Sequence, residues 1–352
     1  MVICFEASSE AHAALKQIMA SGRYRDLNAA VSSAICNLAV LDVAVAAAGG
    51  LMIQKESSAS IAEEPHVEVP RPVAASSLSA HLKRPVPPLD TARFETDGPV
   101  SVTSDALLGP KDWPWGQFNK LLPVKVSCRA TLNLLLQNPM IKASDAAEAV
   151  ASAAFSLATV LRQADVASHR RRDEAFAAAF PSSKLGDDKS RQRFMEQFVF
   201  ATGSFATSSF PQLLGFLRLE GASVRLTRAG REFGECANPL LDGNLLQSAE
   251  KFSTEELEFL RRHIRGTVPS ERSALTAVLR AVRDGAKNPD AVDTYLRQLF
   301  PEAASDLTEP FLATQRTGAI SRAVELKLLR RDRQGIRVSY VLEQPGEAFL
   351  QP

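Results

Sequence analysis

Seven prolines between residues 49 and 105 decide how this chain is divided. Pro65, Pro70, Pro72, Pro85, Pro87, Pro88 and Pro99 each remove a backbone donor and fix φ, and no apolar periodicity survives between them. The stretch is also rich in serine and acidic residues, the composition of a chain that buries too little apolar surface to order itself. A flexible linker is therefore expected over residues 49–105. It separates a head, residues 1–48, from a distal body, residues 106–352. At 352 residues the chain exceeds what one core usually organises, which agrees with several compact units.

Hydrophobic residues make up 45% and charged residues 23%, so real cores are affordable without membrane composition. Alanine and leucine dominate the apolar set, and both favour helix, so a mainly helical fold is expected. The net charge of +1 gives no global attraction to nucleic acid. Any DNA contact must come from local clustering. Residues 1–105 hold 8 Lys+Arg against 12 Asp+Glu, which leaves the excess of positive charge in the distal part. Cys4, Cys36, Cys128 and Cys236 are scattered, without metal-ligand spacing, and read as reduced structural thiols. The beginning lacks a basic region followed by a long apolar run, and the Ala-rich stretch before Gly50 is too short to span a bilayer. A cytoplasmic, nucleoid-associated protein with no membrane partner is expected.

In the head, residues 2–7 suit a short strand, and Ser8 and Ser9 offer an N-cap to a helix running to about Ala20. Ser21-Gly22 provides a stop. A second helix starts near Asp26 and carries Leu27, Val31, Ile35 and Leu38 on one face. So small a unit leaves an apolar face and a strand edge uncovered, and pairing with a second copy covers both. These residues, together with the Ser21-Gly22-Arg23-Tyr24 turn and the run from Asn28 to Ile35, resemble the ribbon-helix-helix family. The resemblance implies a homodimer through residues 1–48, with Ile3, Phe5 and Ala7 of the ribbon and Leu27, Val31 and Ile35 in the shared core. It leaves Val2, Cys4 and Glu6 facing outward, a poor surface for reading bases. Arg23, Arg25 and Asn28 remain as phosphate contacts at the second helix's N-terminus. Within the linker, His81-Leu82-Lys83-Arg84-Pro85 is either a docking segment for a protein partner or ordinary tether.

Order is expected to return near Asp112. Trp113-Pro114-Trp115-Gly116 reads as a packed cap, and Lys120, Lys125 and Arg129 as either a basic stripe or a solvated helix face. Residues 145–163 form an alanine-rich scaffold helix, and the segment from Lys189 opens another around Phe194 and Phe198. Leu213 to Leu219 end a helix, residues 220–223 turn, and Val224 to Thr227 form a strand. Thr227 then caps a further helix, which Gly230 lets approach closely. This order resembles the end of a winged-helix domain, placed here in residues 106–243. Residues 244–352 repeat the cadence, with helix starts near Ser253, Ser270 and Asn288, a helix over 317–329 able to enter a groove, and a hairpin over 330–342. The expected fold class is therefore a ribbon-helix-helix head, a linker, and a helical body with two winged-helix-like units.

From Arg316 to Arg337 stand seven cations, Arg316, Arg322, Lys327, Arg330, Arg331, Arg333 and Arg337, against Glu325 and Asp332. A basic helix followed by a basic wing is the arrangement that neutralises phosphates. The six arginines are thus the candidate contacts to double-stranded DNA, the alternative being a soluble hairpin decorated with arginine. Phosphate-loop, nucleophile-elbow and zinc-protease motifs are lacking, and the five histidines stand apart. No enzyme activity, cofactor or metal is expected. The sequence points to a dimeric DNA-binding regulator or DNA-maintenance and defence factor, or else to a subunit of such a complex whose winged helices dock protein. A third reading is an antitoxin-like repressor whose linker masks a toxin.

Overall fold

The computed structural model describes residues 79–99, 106–171, 173–181, 188–200, 208–243, 248–301, 308–335 and 337–351, all within the compact unit Arg71–Pro352. The head lies outside the described residues, and with it Ile3, Phe5, Ala7, Leu27, Val31, Ile35, Arg23, Arg25 and Asn28.

The described part is mainly helical. Its first half runs α1 (Leu122–Gln137), α2 (Ala143–Ala167), α3 (Asp188–Phe198) and α4 (Phe210–Leu213), then β2 (Leu217–Glu220), β3 (Ser223–Thr227) and α5 (Arg228–Glu235). The second half runs α6 (Thr254–Thr267), α7 (Pro269–Arg283), α8 (Pro289–Leu299) and α9 (Glu309–Glu325), then β4 (Leu329–Gln334), β5 (Arg337–Leu342) and α10 (Gln344–Leu350). A two-residue strand β1 (Glu95–Thr96) precedes them.

The caps follow local chemistry. The Thr227 hydroxyl accepts from the Gly230 N–H at 3.1 Å, and Ser253 and Glu256 form a reciprocal capping box on α6. Asn288 caps α8 with Pro289 in its first turn, and Thr308 does the same for α9 with Pro310. That last cap moves the expected 317–329 helix upstream, because Pro310 opens a helix where it would break one further in. The run Leu213 to Leu219 is likewise only briefly helical, since Leu217 already belongs to β2.

The two halves repeat one construction. A helix (α1, α7) leads into a single residue that pairs with the later hairpin: Lys142 bridges Ser223, and the Tyr340 N–H donates to the Lys287 carbonyl at 2.8 Å. After α2, α3 and α4 in the first half, and α8 and α9 in the second, the chain turns out through matched bonds, Phe216 N–H to Pro211 O and Leu328 N–H to Ala323 O, both 2.9 Å. Each hairpin is closed by a bond back to its first strand's entrance, Thr227 N–H to Phe216 O at 3.0 Å and Glu343 N–H to Leu328 O at 3.1 Å. The following helix touches that same carbonyl through a glycine. A Cβ on Gly230 would lie 2.2 Å from Phe216 O, and one on Gly346 2.3 Å from Leu328 O. Phe216 and Leu328, Leu217 and Leu329, Val224 and Tyr340, and Phe233 and Phe349 are the buried counterparts.

Part of the stretch expected to be linker is docked instead. Leu82 and Phe94 are buried, β1 pairs in parallel with β3, and the Asn133 amide donates to the carbonyls of His81 (2.7 Å) and Lys83 (2.8 Å). The segment His81 to Pro85 thus seats on its own chain, with Arg84 donating to Glu235 O at 3.0 Å. Prolines and missing periodicity exclude regular helix, but they do not exclude an irregular segment from packing.

Candidate nucleic-acid interface

The expected DNA surface is α9 with the β4–β5 hairpin. Helix α9 is exposed at Glu309 to Phe311 and at Thr317 but is buried over the run that carries Arg322. Leu312, Gln315, Arg316 and Gly318 to Ala323 are all buried. The segment around Trp113 to Phe118 crosses it so closely that a Cβ on Gly318 would lie 2.4 Å from Gly116 O. Gln315 donates to the Pro110 carbonyl at 2.8 Å, and Trp113 itself is buried, edge-on against Phe300. The packed cap expected of the tryptophans therefore covers the helix expected to enter a groove.

Two of the six candidate arginines are removed from the surface by this packing. Arg322 is fully buried, its Nε 2.7 Å from Glu271 Oε1 and its Nη1 2.7 Å from Phe118 O. Burial outweighs the neighbouring guanidinium and pushes the Glu271 carboxyl up. Arg316 is nearly as enclosed, with Nε 3.0 Å from Asp293 Oδ1.

The hairpin arginines reach the surface but are matched. Arg330 pairs with Glu343 at 3.1 Å, while Arg331 and Arg333 share Asp173 at 3.5 and 2.6 Å. Arg331 also donates to the Ser321 hydroxyl at 2.7 Å. Burial raises the Asp173 carboxyl, yet a hydrogen bond from its own backbone and the charges of Arg333 and Arg331 outweigh it and hold the group below the usual range. Lys327 pairs with Glu250 at 2.9 Å. Of the seven cations, Arg337 alone is exposed without an ion pair among the described residues. The excess of positive charge read along the sequence is cancelled in space by Asp173, Glu250, Glu271, Asp293 and Glu343, which come from outside the 316–337 window.

Lys120, Lys125 and Arg129 are neither a DNA stripe nor a solvated face, because all three are buried. Lys125 Nζ sits 2.8 Å from Glu256 Oε1 and donates to the carbonyls of Phe233 and Cys236. Arg129 grips both Asp242 oxygens, at 2.8 and 3.1 Å, and also donates to Gly234 O and Cys236 O. The two side chains satisfy orphan carbonyls at the negative end of α5. They bind α1 to α5, and Glu256 carries the tie on to α6. Lys120 joins Lys251 around Glu325, at 3.5 and 2.8 Å, where the Leu121 N–H donates to the other carboxylate oxygen at 2.6 Å. Burial raises the Glu325 carboxyl, but Lys251, Lys120 and that N–H outweigh it and hold it low. This cluster floors a cavity of about 710 Å³ whose rim carries both signs of charge, including Asp173, Glu250, Arg330 and Arg331.

One set of cations was passed over in the sequence: Arg261, Arg262 and Arg265 of α6 and Arg272 and Arg280 of α7. Their signal was diluted along the chain by Glu258 and Glu271, of which Glu271 is turned into the core. Among the described residues no group of three or more His, Cys, Asp and Glu side chains is placed to hold a metal, and no helix is long and apolar enough to cross a membrane. Compared with known proteins, the chain matches no protein-family profile, no curated protein sequence and no solved structure.

Proposed function

We propose that the chain is a dimeric, non-enzymatic interaction subunit, joined through its ribbon-helix-helix head and presenting two winged-helix-like units that dock protein. The observation that carries this reading is the enclosure of α9. A winged helix that reads DNA lays its third helix in the major groove, where the side chains at its surface meet base edges. Here that face is spent on Gly116, Pro110 and Phe118, and the adjoining wing is charge-matched by Asp173 and Glu343. Winged helices serve in protein docking as well as in DNA reading, so the fold alone does not choose. The repeated bridge, turn and closing glycine support the winged-helix-like reading of both halves.

Replacing Arg330, Arg331 and Arg333 together by alanine tests the reading. Duplex-DNA affinity and its salt slope, measured on the full chain, are expected to stay unchanged. A variant that binds duplex more weakly and with a shallower salt slope would return the interface to the wing. A second reading keeps double-stranded DNA as a partner through a different surface, and the arginines of α6 and α7 favour it.

A further inference from the structure

We infer that the groove between α6, α7 and α10 is a binding site for clustered phosphate groups. Five arginines line it: Arg261, Arg262 and Arg265 from α6, and Arg272 and Arg280 from α7. Glu258 is the one acid in the lining. The cavity measures about 870 Å³, within the size range of small-ligand sites. The lining also includes the apolar Leu107, Phe349 and Leu350.

What singles this groove out is five arginines against one acid in a single lining, where many arginines elsewhere meet a carboxylate. Arg129, Arg231, Arg316, Arg322, Arg331 and Arg333 all face a carboxylate within ion-pair distance. No carboxylate among the described residues lies within ion-pair distance of Arg261, Arg262, Arg265 or Arg280, although Glu258 acts on Arg261 and Asp284 on Arg280 from farther away. Two of them are held instead by main-chain oxygens. Arg261 Nε donates to Leu326 O at 2.9 Å, and Arg265 Nη2 donates to Gln351 O at 2.6 Å. Arg272 reaches across to Arg265 O at 3.4 Å, which fixes α7 against the end of α6. Neutral carbonyls thus orient Arg261 and Arg265 without cancelling their charge. Guanidinium stays ionised at any ordinary pH, so the cluster bears standing like-charge repulsion that a polyanion relieves. A concave wall of one sign also concentrates counter-ions at its mouth.

Phosphate suits the site better than a lone carboxylate does. The planar forks match phosphoryl oxygens in pairs, and Arg261, Arg262, Arg265 and Arg280 beside the one acid Glu258 call for several negative charges on one ligand. Two sources share that chemistry, a free polyphosphate-bearing small molecule and the backbone of a nucleic acid. The lining includes no residue of the hairpin or of α9, although Arg261 is tied to the C-cap of α9 at Leu326.

The test uses the full chain with tripolyphosphate as the probe, followed by calorimetry, alongside a labelled DNA duplex followed by anisotropy. Tripolyphosphate is expected to bind, and Arg262→Glu with Arg280→Glu to weaken binding by about tenfold or more. Arg262→Ala with Arg280→Ala is the second variant, and its unchanged melting temperature shows that lost binding is not lost folding. Duplex that tripolyphosphate displaces assigns the site to a nucleic-acid backbone. Tripolyphosphate binding without duplex binding assigns it to a free ligand. No binding of tripolyphosphate at low salt, or binding that both double variants leave intact, overturns the inference.

Discussion

Glu325 shows how much one carboxylate does in this body. Two lysines and a backbone N–H converge on it from three separate segments, so its removal strands two enclosed ammonium groups. Glu325→Gln is expected to cost about 3–5 kcal/mol, read by denaturant unfolding, because breaking a buried pair leaves its partner's charge uncompensated. The pH dependence has a definite sign. The folded-state pKa lies below the ordinary 4.5, so the stabilisation is complete above that value and is lost as pH falls through the depressed one. The gap between native protein and variant should therefore be constant above about pH 5 and narrow as pH falls further. Cys128 offers a second check at this scale. Burial pushes its thiol up to about 12, so it should resist alkylation in the native protein and react only on unfolding.

Residue types alone did not disclose these roles. Lys120, Lys125 and Arg129 carry the same letters whether they meet solvent, phosphate or a buried carboxylate. Their partners Glu325, Glu256 and Asp242 lie more than a hundred positions away in sequence. A charge count in a window sees neighbours along the chain, whereas the electrostatic balance is settled by neighbours in space.

At the scale of elements, the hairpins, caps and close-approach glycine were the legible part. Thr227, Ser253 and Asn288 cap the helices that their side chains announce, and the hairpin after Leu329 turns at Gly335 as its sequence indicates. Such features are local, fixed by φ and by hydrogen bonds a few residues long. The repeated glycine gives a matched pair of tests. Gly230→Ala and Gly346→Ala each drive a methyl into a main-chain oxygen, of Phe216 and Leu328 respectively, and each should lower stability by about 1–3 kcal/mol, seen as a fall in melting temperature. What the pattern did not reveal is which face of α9 meets water. Its residue types do not mark a side, since apolar Phe311 is exposed while Gln315, Arg316, Ser321 and Arg322 are buried.

For the whole molecule, the proposed dimer through residues 1–48 is added to a described body tied together by buried charge. In the proposed dimer, Phe5→Asp would place a charge in the shared ribbon core. The full-length variant is expected to sediment as a monomer where the native chain sediments as a dimer. The linker reading was legible only in part, because an irregular segment that packs and one that does not share the same prolines. Residues 79–99 belong to the body through Leu82, Phe94 and β1.

The enclosure of α9 is the claim on which the docking function stands. Hydrogen exchange across residues 309–325 of the full chain, with and without duplex DNA, measures it directly. Slow exchange matching α1, with no added protection from duplex, is the result expected of a helix held within its own body. Fast exchange that slows when duplex is added would mean that α9 opens to meet DNA, and the account would fail.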